Sequence, residues 1–121
     1  MRYVGAGGVI GAAARWGILT AVGPASATLA VAGINLAGSI LLGLLVGLRW
    51  TRSRRQRLTN NQFLLAGRGF CGAFTTFSTY AVEVATALDE GMLPRAASTG
   101  LGTAVVVVVG AGIGYRIGSR P

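Results

Sequence analysis

The stretch Gly67-Arg-Gly-Phe-Cys-Gly-Ala-Phe-Thr-Thr-Phe-Ser-Thr-Tyr80 gathers glycines, hydroxyls and aromatic rings into one run of an otherwise apolar chain. A hydroxyl in hydrocarbon needs a hydrogen-bond partner, and glycine loosens a helix where lipid offers the backbone nothing in exchange. Such a run is tolerated only where it faces protein or a wet path. It reads as the lining of a pore.

Other polar residues sit inside apolar segments at helical spacing. Asn35 and Ser39 lie four apart on one helix face, and Phe77 and Tyr80 lie three apart on another. Thr76, Thr79 and Glu83 follow an adjacent face, Ser78 stands among them, and Thr103 is a hydroxyl embedded in the last apolar segment. Amide and hydroxyl groups donate hydrogen bonds, and aromatic rings present a positive edge. Together they can replace the water shell of a small anion. A fixed cation at the centre would hold the anion too tightly for passage, and this donor set has none. Each group also has a plainer use: Asn35 as a bond between helices, Phe77 and Tyr80 as packing or lipid-facing rings, Glu83 as a solvated acid, Arg15 as a snorkelling side chain.

Catalysis is poorly served. Histidine is absent and Cys71 is the single cysteine, which removes disulfides, cysteine zinc sites and most nucleophile–base pairs. The reading is a protein that is not an enzyme. The net charge of +8 comes from eleven basic residues, all arginine. Five of them, Arg49, Arg52, Arg54, Arg55 and Arg57, crowd one link between apolar segments. Beside membrane helices this is a topology signal rather than a nucleic-acid patch.

The elements that must position these groups are membrane helices. Residues 16–48 and 96–115 carry no charge, and about 20 apolar residues span a bilayer core. Four segments fit, at about residues 3–23, 28–48, 62–88 and 96–117, forming one integral-membrane domain over residues 1–121. The first is retained rather than removed as a signal peptide, because the later segments need it as a partner. Gly23-Pro24 closes it, Arg49-Trp50 anchors the end of the second, and the third is interrupted around Gly69 and Gly72 and ends near Asp89-Glu90-Gly91. The run Val105–Val109 suits a helix in lipid, with a buried strand as its alternative. Gly7 and Gly11, Gly43 and Gly47, and Gly110 and Gly114 are pairs that permit close helix contact. The fold class is an all-α membrane protein of four transmembrane helices with a broken third. Eight arginines fall on the side of the termini and the central link, against Arg95 on the other, so both termini are expected in the cytoplasm.

The chain resembles the fluoride channel family known as Fluc or CrcB over essentially its whole length. The motifs are Gly7-Gly-Val-Ile-Gly-Ala-Ala-Ala-Arg15-Trp16, Asn35-Leu-Ala-Gly-Ser39 and Gly69-Phe-Cys-Gly-Ala-Phe-Thr-Thr-Phe-Ser-Thr79, in that order. The resemblance implies an antiparallel dimer in the cell's inner (plasma) membrane, with two fluoride pores lined by both subunits. By position it makes Asn35 the pore asparagine, Phe77 and Tyr80 the two aromatics around the ion, and Ser78, Thr79, Glu83 and Thr103 its polar track. Arg15 is implied in an anion-attracting vestibule. The carbonyls of Gly72 and Thr75 are implied to coordinate a structural Na+ at the dimer interface.

Three positions depart from the family pattern. Tyr80 stands where phenylalanine is usual, its hydroxyl adding a donor, while Val31 and Val107 stand where hydroxyls occur. A proton-coupled small multidrug-type transporter is the competing class, but it would want an acid in the first helix, and residues 1–23 hold none. A non-conducting partner subunit is the other. The eight-to-one arginine bias makes insertion overwhelmingly one-way, so the expected antiparallel dimer is a heterodimer with an oppositely oriented paralogue, with a homodimer formed by residual dual insertion as the alternative.

Overall fold

The computed structural model describes residues 1–23, 26–50 and 58–120. Pro24 and the arginines at 52, 54, 55 and 57 lie outside them. The elements run α1 (Arg2–Val22), α2 (Ala27–Trp50), α3 (Asn60–Phe63), a π-helical stretch (Leu64–Cys71), α4 (Gly72–Phe74), α5 (Ser78–Asp89) and α6 (Leu93–Gly118). The described residues are helical with no strand, and the Val105–Val109 run lies inside α6. The chain is an all-α membrane protein of four helical segments. Three of its helices, α1, α2 and α6, are each long and apolar enough to cross a bilayer. The third segment is in pieces from α3 to α5.

Glycine sets how these helices meet. α2 packs along α6, and α1 lies against the π-helical stretch. A Cβ at Gly114 would run into the Ile40 carbonyl, one at Gly43 into the Ala111 carbonyl, and one at Gly7 into the Leu65 carbonyl. Backbone therefore touches backbone at these crossings, which any side chain would prevent. Gly11, Gly47 and Gly110 are buried in the same contacts. Lipid tails are as apolar as the side chains, so close packing replaces the hydrophobic effect as the force between helices.

The helix ends follow from local chemistry. Thr59 and Gln62 cap α3 reciprocally: the Gln62 N–H donates to Thr59 Oγ1 at 3.3 Å, and the Thr59 N–H to Gln62 Oε1 at 2.9 Å. Arg49 lies over the Phe63 and Trp50 rings and donates to Asn60 Oδ1 at 3.1 Å, tying the end of α2 to the start of α3. Near the other end of the bundle, Gly91 turns the chain at φ 71° between α5 and α6. The exposed pair Arg95–Glu90, at 3.3 Å, crosses that turn and contributes little. α6 starts at Leu93, earlier than the expected 96, because Pro94 falls in the first turn, where its missing N–H costs nothing.

The interruption covers the region the glycines mark and extends to Thr75. Through Gly69 and Gly72 the chain stays helical, first as π-helix and then as α4. Gly69 is there for proximity, since its Cβ would press on the Val4 carbonyl at 2.6 Å. The helix opens at Thr75, whose backbone is extended at φ −74°, ψ 158°. The Thr75 hydroxyl donates back to the Cys71 carbonyl at 2.9 Å, competing with helical bonding at this turn.

Candidate functional site

A helix opened inside a membrane frees backbone groups that lipid cannot satisfy. Asn35, buried on α2, takes two of them at once. Its Nδ2 donates to the Thr76 carbonyl at 3.0 Å, and its Oδ1 accepts the Thr76 N–H at 2.9 Å. Arg15 of α1 donates from Nη1 to the Thr75 carbonyl at 3.1 Å. The Thr76 hydroxyl gathers the start of α5, lying 3.2 Å from Ser78 Oγ and 3.3 Å from Thr79 Oγ1. Three elements thus hold one short break. An asparagine amide carries two N–H groups, so Asn35 keeps one beyond its bond to Thr76.

Two cavities adjoin the break. The larger, about 590 Å³, has walls from α2 (Asn35, Ser39), the third segment (Gly72, Thr75, Phe77, Tyr80) and α6 (Thr103, Val107). The smaller, about 280 Å³, runs from Asn35, Tyr80 and Thr103 past Val31 to Glu83, Thr28, Ser98 and Thr99. Asn35, Tyr80 and Thr103 line both, so the two cavities share a donor-bearing wall. The Phe77 and Tyr80 rings stand 5.4 Å apart at 47°. Phe77 is 78% exposed and projects from the subunit, whereas Tyr80 packs inward.

The structure brings together Asn35, Ser39, Phe77, Tyr80 and Thr103 at the larger cavity and Glu83 at the smaller. Ser78 and Thr79 line neither and instead bond to Thr76. Val31 and Val107, the aliphatic replacements, do lie on cavity walls. Two expectations need correction, at Tyr80 and at Arg68. The Tyr80 hydroxyl is no extra donor, because it donates to the Gly100 carbonyl of α6 at 3.0 Å. Arg15, expected in a vestibule, donates one of its five N–H groups to the break backbone. The donor set does include a fixed cation, since Arg68 lines the larger cavity.

Sequence reasoning left Arg68, Thr28, Ser98 and Thr99 unassigned and saw in Thr76 only a hydroxyl on a helix face. The signal for Arg68 was present: an arginine between two glycines inside a span rarely faces lipid. The threonines and Ser98 gave none, because a hydroxyl near a helix end reads as ordinary surface.

The carbonyls expected to hold Na+ differ from one another. Among the described residues no N–H donates to the Gly72 carbonyl, and Gly72 is exposed with open space around it. The Thr75 carbonyl already accepts from Arg15, with one lone pair remaining. Neutral carbonyl oxygens are the right chemistry for a hard cation, but two are fewer than one needs. The set fits as half of a site that a second subunit would complete.

A helical membrane bundle whose broken segment carries a cavity lined by hydrogen-bond donors has the build of a channel or transporter subunit. The family model described as CrcB-like protein, Camphor Resistance (CrcB), matches residues 2–115, and the chain belongs to this family. It is 40% identical to the fluoride-specific ion channel FluC 2 of Symbiobacterium thermophilum, over 96% of this chain and 98% of that protein. It is 33% identical to the protein of the same name from Natronomonas pharaonis, over 96% and 91%. With the fluoride-specific ion channel FluC 1 of Yersinia pseudotuberculosis it shares 41% identity over 77% and 72%.

Proposed function

We propose that this protein is a subunit of a fluoride-selective channel, not an enzyme, and that it lowers cytoplasmic fluoride by passive export across the plasma membrane. The observation that carries the reading is the shared wall of Asn35, Tyr80 and Thr103, which places donors between two cavities beside the helix break. The names of its relatives supply the ion. Fluoride holds its water strongly, so several donors must replace that shell together.

In this reading the second N–H of Asn35 faces the path while its other contacts hold the break. The exposed Phe77 ring offers its positive edge, and the Tyr80 ring stands beside it. Thr103 donates from α6. Ser78 and Thr79 act through the Thr76 hydroxyl, and Glu83 stands further along the smaller cavity. Gly72 and Thr75 supply carbonyls to a structural Na+ shared with a second subunit, which would offset the negative ends of freed carbonyl dipoles.

The second subunit is an oppositely oriented paralogue. Arg2, Arg49, Arg116 and Arg120 join the arginines of the central link on one side, which puts both termini in the cytoplasm. Phe77, projecting from this subunit, then reaches the partner's half of the pore. Reporter fusions to the C-terminus check the arrangement: comparable cytoplasmic and external signals from the chain expressed alone would replace the heterodimer with a homodimer.

Liposomes loaded with fluoride and holding the purified protein test the function. Fluoride should leave under a potassium-set voltage with no proton gradient supplied. Efflux that strictly requires a proton gradient would make the protein a coupled transporter instead.

A further inference from the structure

Arg68 is the charged side chain of the larger cavity, and every other residue of that wall is neutral. Arg68 is an exposed residue and makes no hydrogen bond or ion pair with any described residue. The three described acids lie elsewhere: Asp89 and Glu90 at the turn before α6, and Glu83 on the smaller cavity. Its position is deliberate in backbone terms. Gly67 and Gly69 on either side are buried, Gly67 against the Phe63 ring and Gly69 against α1, which fixes the π-helical stretch and turns the residue between them outward.

An unpaired guanidinium inside a membrane segment is costly unless it faces water or an anion. Five N–H donors and a permanent charge suit it to an anion. We propose that Arg68 is an anion-recruiting residue of the larger cavity, concentrating small monovalent anions beside the Asn35–Phe77 wall before they enter the narrower part of the path. This rests on the channel reading for its consequence in transport, though not for the binding itself. Arg15 does not line this cavity, and one of its N–H groups is held by the Thr75 carbonyl. Recruitment at the mouth and dehydration by neutral donors are then separate jobs on separate residues, and the fixed charge does not trap the ion at the break.

A cavity walled by low-dielectric protein and carrying one sign of charge raises the local counter-ion concentration roughly 10- to 1000-fold at low salt. Arg68→Gln should therefore raise the half-saturating fluoride concentration for efflux about tenfold at low ionic strength, at the low end of that range. Maximal efflux at saturating fluoride should change little, and Arg68→Lys should stay close to the parent. High concentrations of an impermeant salt should erase the difference between parent and Arg68→Gln, since screening removes the charge effect. The second readout is binding: fluorine-19 NMR of fluoride with the purified protein in detergent, where Arg68→Gln should weaken binding by a similar factor.

The outcomes separate the two claims. Unchanged efflux, salt dependence and binding in a correctly assembled Arg68→Gln protein would overturn the role of Arg68 and leave the channel reading standing. No efflux from the parent, with binding that weakens in Arg68→Gln, would overturn the channel reading and leave the anion site. Neither efflux nor binding in the parent would overturn both. Loss of maximal efflux in Arg68→Gln but not in Arg68→Lys, with binding unchanged, would make Arg68 part of the conducting constriction rather than a recruiting group.

Discussion

The two bonds between Asn35 and Thr76 make a quantitative prediction. Asn35→Ala deletes a donor and an acceptor together and leaves the Thr76 N–H and carbonyl buried, with Thr76 itself only 8% exposed. An unsatisfied buried polar group costs about 1–3 kcal/mol, so the pair should cost about 2–6 kcal/mol. Asn35→Asp keeps an oxygen that accepts the Thr76 N–H, but its second oxygen faces the Thr76 carbonyl: protonated it donates there, and ionised it meets another acceptor in a buried place. The ionised form also repels an anion. A negative charge about 5 Å from the ion opposes it by about 3 kcal/mol at an effective dielectric near 20, roughly a hundredfold in occupancy. Asn35→Ala should lose stability in denaturant unfolding of the detergent-solubilised protein together with one donor of the path, and Asn35→Asp should lose fluoride efflux. If Asn35→Ala unfolds within about 0.5 kcal/mol of the parent, these bonds do not hold the break. If Asn35→Asp conducts normally, Asn35 is either off the path or neutral when substituted.

Phe77→Ile should abolish or strongly reduce efflux without changing assembly by gel filtration, since an aliphatic chain has no positive edge and the ring packs little within its own subunit; undiminished efflux would leave the ring a packing role. Tyr80→Phe should lower stability by about 1 kcal/mol through loss of the bond to the Gly100 carbonyl, with little effect on efflux, and a large loss of efflux would place the hydroxyl on the path after all. Gly114→Leu should separate α6 from α2, because its Cβ would meet the Ile40 backbone; a protein that assembles with unchanged thermal stability would show that this crossing can yield.

Much of the architecture was legible before folding. Charge-free segments of bilayer length mark the spans, and the paired glycines mark where they touch, because both signals depend on local composition and periodicity alone. The donor set was legible for a related reason: Asn35, Thr103 and the hydroxyls of the third segment are polar groups lipid would reject, so they stand out in any apolar sequence. Which atom each of them serves was not legible. Tyr80 offered a hydroxyl in the sequence, and the chain spends it on a carbonyl twenty residues away. Arg15 and Arg68 look alike as embedded arginines; one donates to the break, and the other lines the larger cavity and bonds to no described residue. Gly69 and Gly72 mark the interrupted region, but the sequence did not show that its glycine part is π-helical or that the chain opens at Thr75, where a side chain from α1 and another from α2 compensate the freed backbone. Composition decides which groups need partners in a membrane. Only the packing of distant helices decides which partner each one finds, since hydrogen bonds act over about 3 Å and the residues that meet at the break lie 41 and 60 positions apart.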